Sequence, residues 1–181
     1  MDLRTKRTKH SIINAFIQLR SQKPLEKITI KELSEIAYIN KATFYSHYKD
    51  IYDLSEQLEE EVISSILKNI PHPDSLITNP KQGVEELTVA LSCQNELFHI
   101  LFSDTRSSIL IDRLEHGLKK QIYDQYPEFQ NQLEWDILLS FLIQGGFHAF
   151  LAHSNNNIWE ITRILGDIQD SLIKIYLPTR T

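Results

Sequence analysis

Cysteine is nearly absent from this chain of 181 residues, in which the sole thiol is Cys93. A single cysteine excludes an internal disulfide framework and leaves no cysteine pair for a zinc site. The first residues are charged rather than apolar, so we expect no secretory signal there. These absences favour a cytoplasmic protein with the size of one or two small domains.

Long apolar runs are missing as well. The longest, from Ile137 to Ala152, is interrupted by Ser140, Gln144 and His148 and falls short of the ~20 residues that a membrane span needs. We therefore expect a buried helix and no membrane partner. The sequence also lacks a glycine-rich phosphate loop and the nucleophile elbow of hydrolases, which argues against two classes of enzyme.

Charge is distributed unevenly along the chain. Residues 1–50 contain ten Lys or Arg against five Asp or Glu, whereas residues 51–181 contain nine against nineteen. The net charge of −5 therefore conceals a basic head and an acidic body. This division is expected of a modular DNA-binding protein, because phosphates attract the head and repel the body. A soluble amino-terminal arm explains the basic residues of segment 4–9 equally well.

Residues 29–49 are typical of two short helices joined by a tight turn. Thr29 and Glu32 have the spacing of a capping box, and Asn40 is a suitable cap for the second helix. The second helix would bury Phe44 and Tyr48 and direct its polar side chains outward, namely Lys41, Thr43, Tyr45 and His47. A preceding helix, with apolar residues at helical spacing, ends before Lys23-Pro24 and completes a three-helix unit.

The segment from Thr8 to Lys49 resembles the amino-terminal domain of the TetR/AcrR transcriptional regulators. Asn40-Lys41-Ala42-Thr43-Phe44-Tyr45-Ser46-His47-Tyr48 is similar to that family's Ser-Lys-Gly-Thr-Leu-Tyr-x-x-Phe pattern. Further matches are Ile12, Ala15, Leu19, Thr29, Ala37 and Lys49. The chain departs from the pattern at Tyr38 and Ala42, where glycine is usual, at Pro24, which replaces another glycine, and at Arg20, which replaces an aromatic residue. A positive φ at Tyr38 would strain the turn.

The resemblance implies a set of DNA contacts. Thr29 and Lys31 would lie at the start of the supporting helix, next to the DNA. Residues 41–43 (Lys41, Ala42 and Thr43) would approach base edges. Tyr45, His47 and Lys49 would hold phosphates. Lys41 fits a phosphate contact as well as a base contact.

Beyond Asp50 the chain is predicted to be a series of helices. The first begins at Asp50 and ends at Pro71-His72-Pro73-Asp74, and a polar linker follows as far as Asn79-Pro80. Further helices are predicted over residues 80–92, 94–103, 106–125, 131–153 and 158–176. The expected fold is all-α: a helix-turn-helix DNA-binding domain (1–50) followed by a helical effector-binding and dimerisation domain (51–181).

The last two predicted helices carry apolar residues at the spacing of a packing seam. Helix-turn-helix proteins usually read DNA with two heads, so we interpret the seam as a homodimer interface rather than as internal core. The TetR-like resemblance implies the same arrangement. The interface residues predicted are Gly145, Ala149, Ala152, Ile161, Leu165, Ile168 and Leu172.

An effector pocket is implied by the resemblance alone, because that family binds effectors between the head and the dimer seam. Candidate residues are Phe98, His99, Phe102, His116, Trp135 and Phe147, although aromatic residues at helical spacing more often belong to the core. No cofactor is expected. The predicted function is a regulator that binds a pseudo-palindromic operator as a homodimer under small-molecule control.

Two alternatives remain. A helix-turn-helix regulator without a small-molecule switch would dock a protein partner through its acidic body. A metal-dependent helical enzyme is the more distant alternative, suggested by Glu96-Leu97-Phe98-His99, but di-iron bundles need a second such element.

Overall fold

A computed structural model describes residues 3–92, 98, 100–102 and 106–176. Within these ranges all regular elements are helical, which confirms the predicted all-α class. The α-helices are α1 (Leu3–Arg20), α2 (Ile30–Ile36), α3 (Lys41–Tyr45), α4 (Ile51–Lys68), α5 (Ser75–Thr78), α6 (Pro80–Ser92), α7 (Ser107–Gln125), α8 (Leu133–Ser140), α9 (Gly146–Ala152) and α10 (Ile158–Tyr176). Short 3-10 turns lie at Leu25–Lys27 and Pro127–Phe129. Most of the helix predicted over residues 94–103 lies outside the described residues.

The chain divides into two compact units. The first comprises Met1–Val62 and Glu96–Arg106, and the second comprises Ile63–Asn95 and Ser107–Thr181. The boundary after Val62 falls within α4. The predicted domains, 1–50 and 51–181, follow a different division and stay a prediction.

The first unit is organised around side chains from its first three helices. α1 places Ile12, Ala15, Phe16 and Leu19 at helical spacing on one side, and all four are buried. Leu33 of α2 and Phe44 of α3 are fully buried as well. Removal of each such large side chain from water contributes about 1.5–3 kcal/mol. This core fixes the orientation of α3, which bears the predicted recognition residues.

A buried ion pair ties residue 106 to α4 within the first unit. The Arg106 guanidinium donates two hydrogen bonds to the Glu59 carboxylate, at 2.7 Å from Nε to Oε1 and 2.8 Å from Nη2 to Oε2. Ser55 Oγ donates a third, at 2.7 Å. The Glu59 side chain is wholly buried and that of Arg106 is 15% exposed. The hydrogen bonds to Glu59 raise the pKa of Arg106 despite its partial burial.

The second unit contains a helix where the sequence analysis expected a polar linker. That expectation is wrong, because α5 forms there and buries the apolar side chains of Leu76 and Ile77. α5 packs closely on α6: a Cβ on Gly83 would lie 2.6 Å from the Leu76 backbone nitrogen. Glycine is therefore required at residue 83. α6 also packs along α10.

The single helix predicted over residues 131–153 contains a π-helical turn, Phe141–Gly145, between α8 and α9. The expectation of a buried helix is wrong, because one side of this segment, which includes Leu133, Ile137 and Phe141, is exposed. The helical stretch Leu133–Ala152 has 20 residues, so the expectation that it is too short to cross a membrane is also wrong. Length and composition alone do not distinguish a membrane span from a helix that packs on a protein core.

Polar groups hold the π-turn from two sides. On one side, Glu115 of α7 accepts hydrogen bonds from Ser140, Gln144 and Lys119. Burial alone would raise the pKa of Glu115, but these hydrogen bonds outweigh burial and lower it. On the other side, Gln169 Nε2 donates to the Leu142 carbonyl at 3.0 Å.

Candidate nucleic-acid interface

The start of α2 is fixed by the predicted capping residues. The Glu32 amide donates to the Thr29 hydroxyl at 3.3 Å. Lys23 Nζ lies 2.6 Å from both Glu32 carboxylate oxygens, and this hydrogen bond is the main reason why the pKa of Glu32 is lowered. The Thr29 backbone N–H contributes a smaller lowering. Thr29 and Lys31 are exposed at this end of α2.

The turn after α2 is closed by two backbone hydrogen bonds in the Schellman arrangement. The Ile39 N–H donates to the Ser34 carbonyl at 3.0 Å, and the Tyr38 N–H donates to Glu35 at 3.3 Å. Tyr38 occupies the position where this motif usually has glycine, and its φ is 54°. The strain anticipated from the sequence is thus present. A left-handed conformation costs a residue with a Cβ roughly 1–2 kcal/mol.

Asn40 caps α3, as the sequence predicted. Its side-chain oxygen accepts from the Thr43 amide at 2.7 Å and from the Thr43 hydroxyl at 2.9 Å. These bonds satisfy one of the backbone donors at the helix start, and they orient the Thr43 hydroxyl toward Asn40.

The side chains that follow separate into an inner and an outer face. Phe44 and Tyr48 are buried, with ring centroids 5.8 Å apart. Burial, and to a lesser extent Glu61 and Asp53, raises the pKa of Tyr48 to about 12. Tyr45 lies on the outer face and is 56% exposed. Both assignments agree with the sequence analysis.

The remaining predicted DNA contacts lie along the same short segment. Lys41, Ala42 and Lys49 are exposed, whereas Thr43 and His47 are half-buried. The Lys49 amide donates to Asp53 at 2.8 Å, which is the main reason why the pKa of Asp53 is lowered. This bond fixes the backbone at Lys49 while its side chain stays in solvent. The arrangement offers outward-facing ammonium, hydroxyl and imidazole groups, which can bind phosphates and base edges.

An open groove of about 460 Å³ lies between α9 and α10 in the second unit. Its lining residues are Ala149, His153, Asn156, Glu160, Ile161, Ile164, Leu165 and Ile168. Four of the predicted dimer-interface residues are among them: Ala149, Ile161, Leu165 and Ile168. Of the others, Gly145 and Ala152 are exposed and Leu172 is half-buried. Ile164 was not predicted from the sequence, although its spacing from Ile161 and Ile168 could have indicated it.

The residues predicted for an effector pocket are distributed over both units. Phe98 and Phe102 belong to the first unit, with ring centroids 5.7 Å apart. In the second unit, Trp135 is buried and stacks on Phe129 at 3.9 Å, and His116 is exposed on α7. Phe147 lines a cavity of about 30 Å³, which is large enough for a water molecule or two. His99 lies outside the described residues, and the pocket stays a prediction.

The metal-site alternative rests on Glu96 and His99, which both lie outside the described residues. In the part of the chain that the structure describes, no three His, Cys, Asp or Glu side chains form a group that could hold a metal ion.

Comparison with known proteins provides one informative relative. No family model matches the chain. Over 162 residues the sequence is 22% identical to YxbF, an uncharacterized HTH-type transcriptional regulator of Bacillus subtilis (strain 168). The match covers 81% of this chain and 42% of the Bacillus protein, so the chain spans less than half the length of this relative. The similarity is to a helix-turn-helix regulator and does not distinguish the TetR/AcrR family from others.

Proposed function

We propose that this protein is a DNA-binding transcriptional regulator of the TetR/AcrR type, in which α3 enters a major groove. The observation that carries the proposal is the division of the α3 segment into two faces. Phe44 anchors it in the core, while Lys41, Tyr45 and Lys49 are exposed on its outer side. The similarity to an HTH-type regulator supports the same function.

Each outward residue has a proposed role. Lys49, Tyr45 and His47 hold phosphates, and Lys31 and Thr29 approach the backbone from the start of α2. Lys41, Ala42 and Thr43 read base edges. In the free protein the Thr43 hydroxyl is bonded to Asn40, so base contact requires it to rotate or to accept a bond.

We further propose a homodimer that forms through the groove between α9 and α10. Two heads would read the two halves of a pseudo-palindromic operator. Exposed apolar residues extend from the groove along both helical segments, including Phe141, Ile164, Ile168 and Ile175. An apolar surface of this extent is typical of an interaction site, and a second copy presents a matching one.

A small-molecule effector would act by favouring one separation of the two heads over another. This part of the proposal rests on the family resemblance. By linkage, an effector that weakens operator binding must bind the operator-bound protein less tightly than the free protein. If calorimetry gives a molecule equal affinity for the free and the operator-bound protein, that molecule is excluded as an effector. This result would favour the alternative in which the acidic body binds a protein partner instead.

DNA reading is tested with Lys49→Ala and a matched control. Lys120 is also an exposed lysine, but it lies on α7 in the second unit. We expect Lys49→Ala to weaken binding to cognate and scrambled duplexes alike and to lower the salt slope by about 0.9 per head. Lys120→Ala should bind like the parent. Equal behaviour of both folded variants would contradict the proposed phosphate contact.

The homodimer is tested at Ile168 rather than at Leu165, because Leu165 also lines the 30 Å³ cavity in the core. Ile168 is 51% exposed, and Val89 on α6, at 45%, serves as the control. Ile168→Glu should yield folded monomers in sedimentation experiments, since a buried unpaired charge in the interface is strongly unfavourable. Val89→Glu should remain dimeric. A dimer that Ile168→Glu leaves unchanged would refute this interface.

A further inference from the structure

We propose that Tyr38 is an additional DNA contact, in which its phenol O–H donates a hydrogen bond to a backbone phosphate at the edge of the groove that α3 enters. This inference rests on the proposed function and adds a residue that the TetR-like pattern does not supply, because that pattern has glycine at this position.

The fold itself does not account for a tyrosine here. Its φ of 54° is one that glycine adopts without strain, and its side chain is 96% exposed. Within the described residues, the phenol takes part in none of the hydrogen bonds or ring contacts observed. The strain is therefore uncompensated by packing. Strained residues of this kind are found disproportionately at functional sites.

The turn nevertheless fixes the tyrosine in place. The N–H groups of Tyr38 and Ile39 are both bonded to carbonyls of α2, at 3.3 Å and 3.0 Å. The next residue, Asn40, is held at the start of α3 by its cap to Thr43 at 2.7 Å. Because the backbone is bonded before and after it, the direction of the Tyr38 Cα–Cβ bond is set by the turn rather than by a mobile loop.

Chain length places Tyr38 next to the proposed DNA contacts. Asn40 follows Tyr38 by two positions, and two residue steps span at most ~7 Å. A major groove is about 12 Å wide, so a side chain that begins within ~7 Å of an inserted helix start is close to a phosphate backbone bordering the groove. Phosphate oxygens only accept hydrogen bonds, and tyrosine is among the side chains that commonly donate to them.

Tyr38→Phe is the sharpest test, because it keeps the ring and the backbone strain and removes only the hydroxyl. The probes are the duplex that the parent protein selects from a randomised library and a scrambled duplex of the same composition. We expect affinity for both to fall about fivefold per head, the usual effect of one hydrogen bond. The salt slope should stay unchanged, since a neutral donor releases no counterion. Lys49→Ala, in contrast, should lower it.

Two further variants complete the experiment. Tyr176, an exposed tyrosine on α10, provides the control Tyr176→Phe, which should bind like the parent. Tyr38→Gly should lose DNA affinity without any loss of Tm, because glycine relieves the strain at φ 54°. If Tyr38→Phe binds both duplexes like the parent while Lys49→Ala binds less well, the inference is overturned and the proposed function stands. If the parent selects no duplex at all, the proposed function itself fails.

Discussion

Removal of Arg106 should destabilise the protein far more than removal of an arginine in a comparable ion pair at the surface. Arg106 and Glu59 form a bidentate pair at 2.7 and 2.8 Å, with the carboxylate fully buried. Arg163 lies 3.0 Å from Asp167, but its side chain is 66% exposed. Both pairs join an arginine to a carboxylate, and they differ most in burial, so the comparison tests the cost of stranding a buried charge.

The expected magnitude follows from that difference. When one partner of a buried pair is removed, the other is left uncompensated, which costs 3–5 kcal/mol. Partial exposure of Arg106 favours the lower end, so we expect Arg106→Ala to cost about 3 kcal/mol and to lower Tm by about 6–12 °C. Arg163→Ala should leave Tm within about 2 °C of the parent, because solvent screens the pair. Lys81 Nζ, 2.7 Å from Asp167, also remains to neutralise it.

Thermal and urea unfolding, followed by circular dichroism, measure both effects. The double variant Glu59→Met/Arg106→Met serves as a second control, since it removes both charges and keeps apolar volume. It should recover much of the stability lost in Arg106→Ala. Equal Tm values for Arg106→Ala and Arg163→Ala would refute the argument, because burial would then not decide the cost.

Four further predictions concern single positions, and each can be measured by urea unfolding, the last of them as a function of pH. Gly83→Ala should lower the free energy of unfolding by about 1–3 kcal/mol, because the new Cβ would lie 2.6 Å from backbone in α5. Gly145→Ala, where a Cβ meets nothing within 4 Å, should stabilise the fold by up to about 1 kcal/mol. Tyr48→Phe should stabilise the protein by about 1 kcal/mol, because the buried hydroxyl has no hydrogen-bond partner among the described residues. Glu115 has a lowered pKa, so its stabilising effect is complete above its unfolded value of 4.5 and is lost as the pH falls through the folded value. Glu115→Gln should therefore flatten the acid limb of the stability curve, and an unchanged limb would contradict the assignment.

Local interactions explain why the start and end of α2 and the start of α3 could be predicted from the sequence. Thr29 and Asn40 each bond to a backbone N–H three residues later, so their effect depends only on spacing. The burial of Phe44 and Tyr48 likewise follows from helical periodicity within five residues. The strain at Tyr38 could be expected because the position after a helix end favours glycine.

Contacts between distant residues could not be predicted in this way. Glu59 and Arg106 are 47 residues apart, and nothing in the spacing of either identifies the other. α5 was not predicted because its four residues are too few to show a helical period in the sequence. The helix is stabilised instead by the burial of its apolar side chains against α6. Leu165 was assigned to the dimer seam alone, whereas it lies between the groove and the core.

The π-turn between α8 and α9 explains why one side of the helical segment from Leu133 to Ala152 stays exposed along its whole length. Five exposed or half-buried residues follow one another on this side in steps of four: Leu133, Ile137, Phe141, Gly145 and Ala149. In an α-helix of 3.6 residues per turn, each such step drifts by about 40°, so five residues would wind away from one face. A turn closed by bonds between residues five apart is wider and reverses part of this drift. The row therefore continues into the groove at Ala149, and the polar contacts of Glu115 and Gln169 with the π-turn hold the surface on which the proposed homodimer depends.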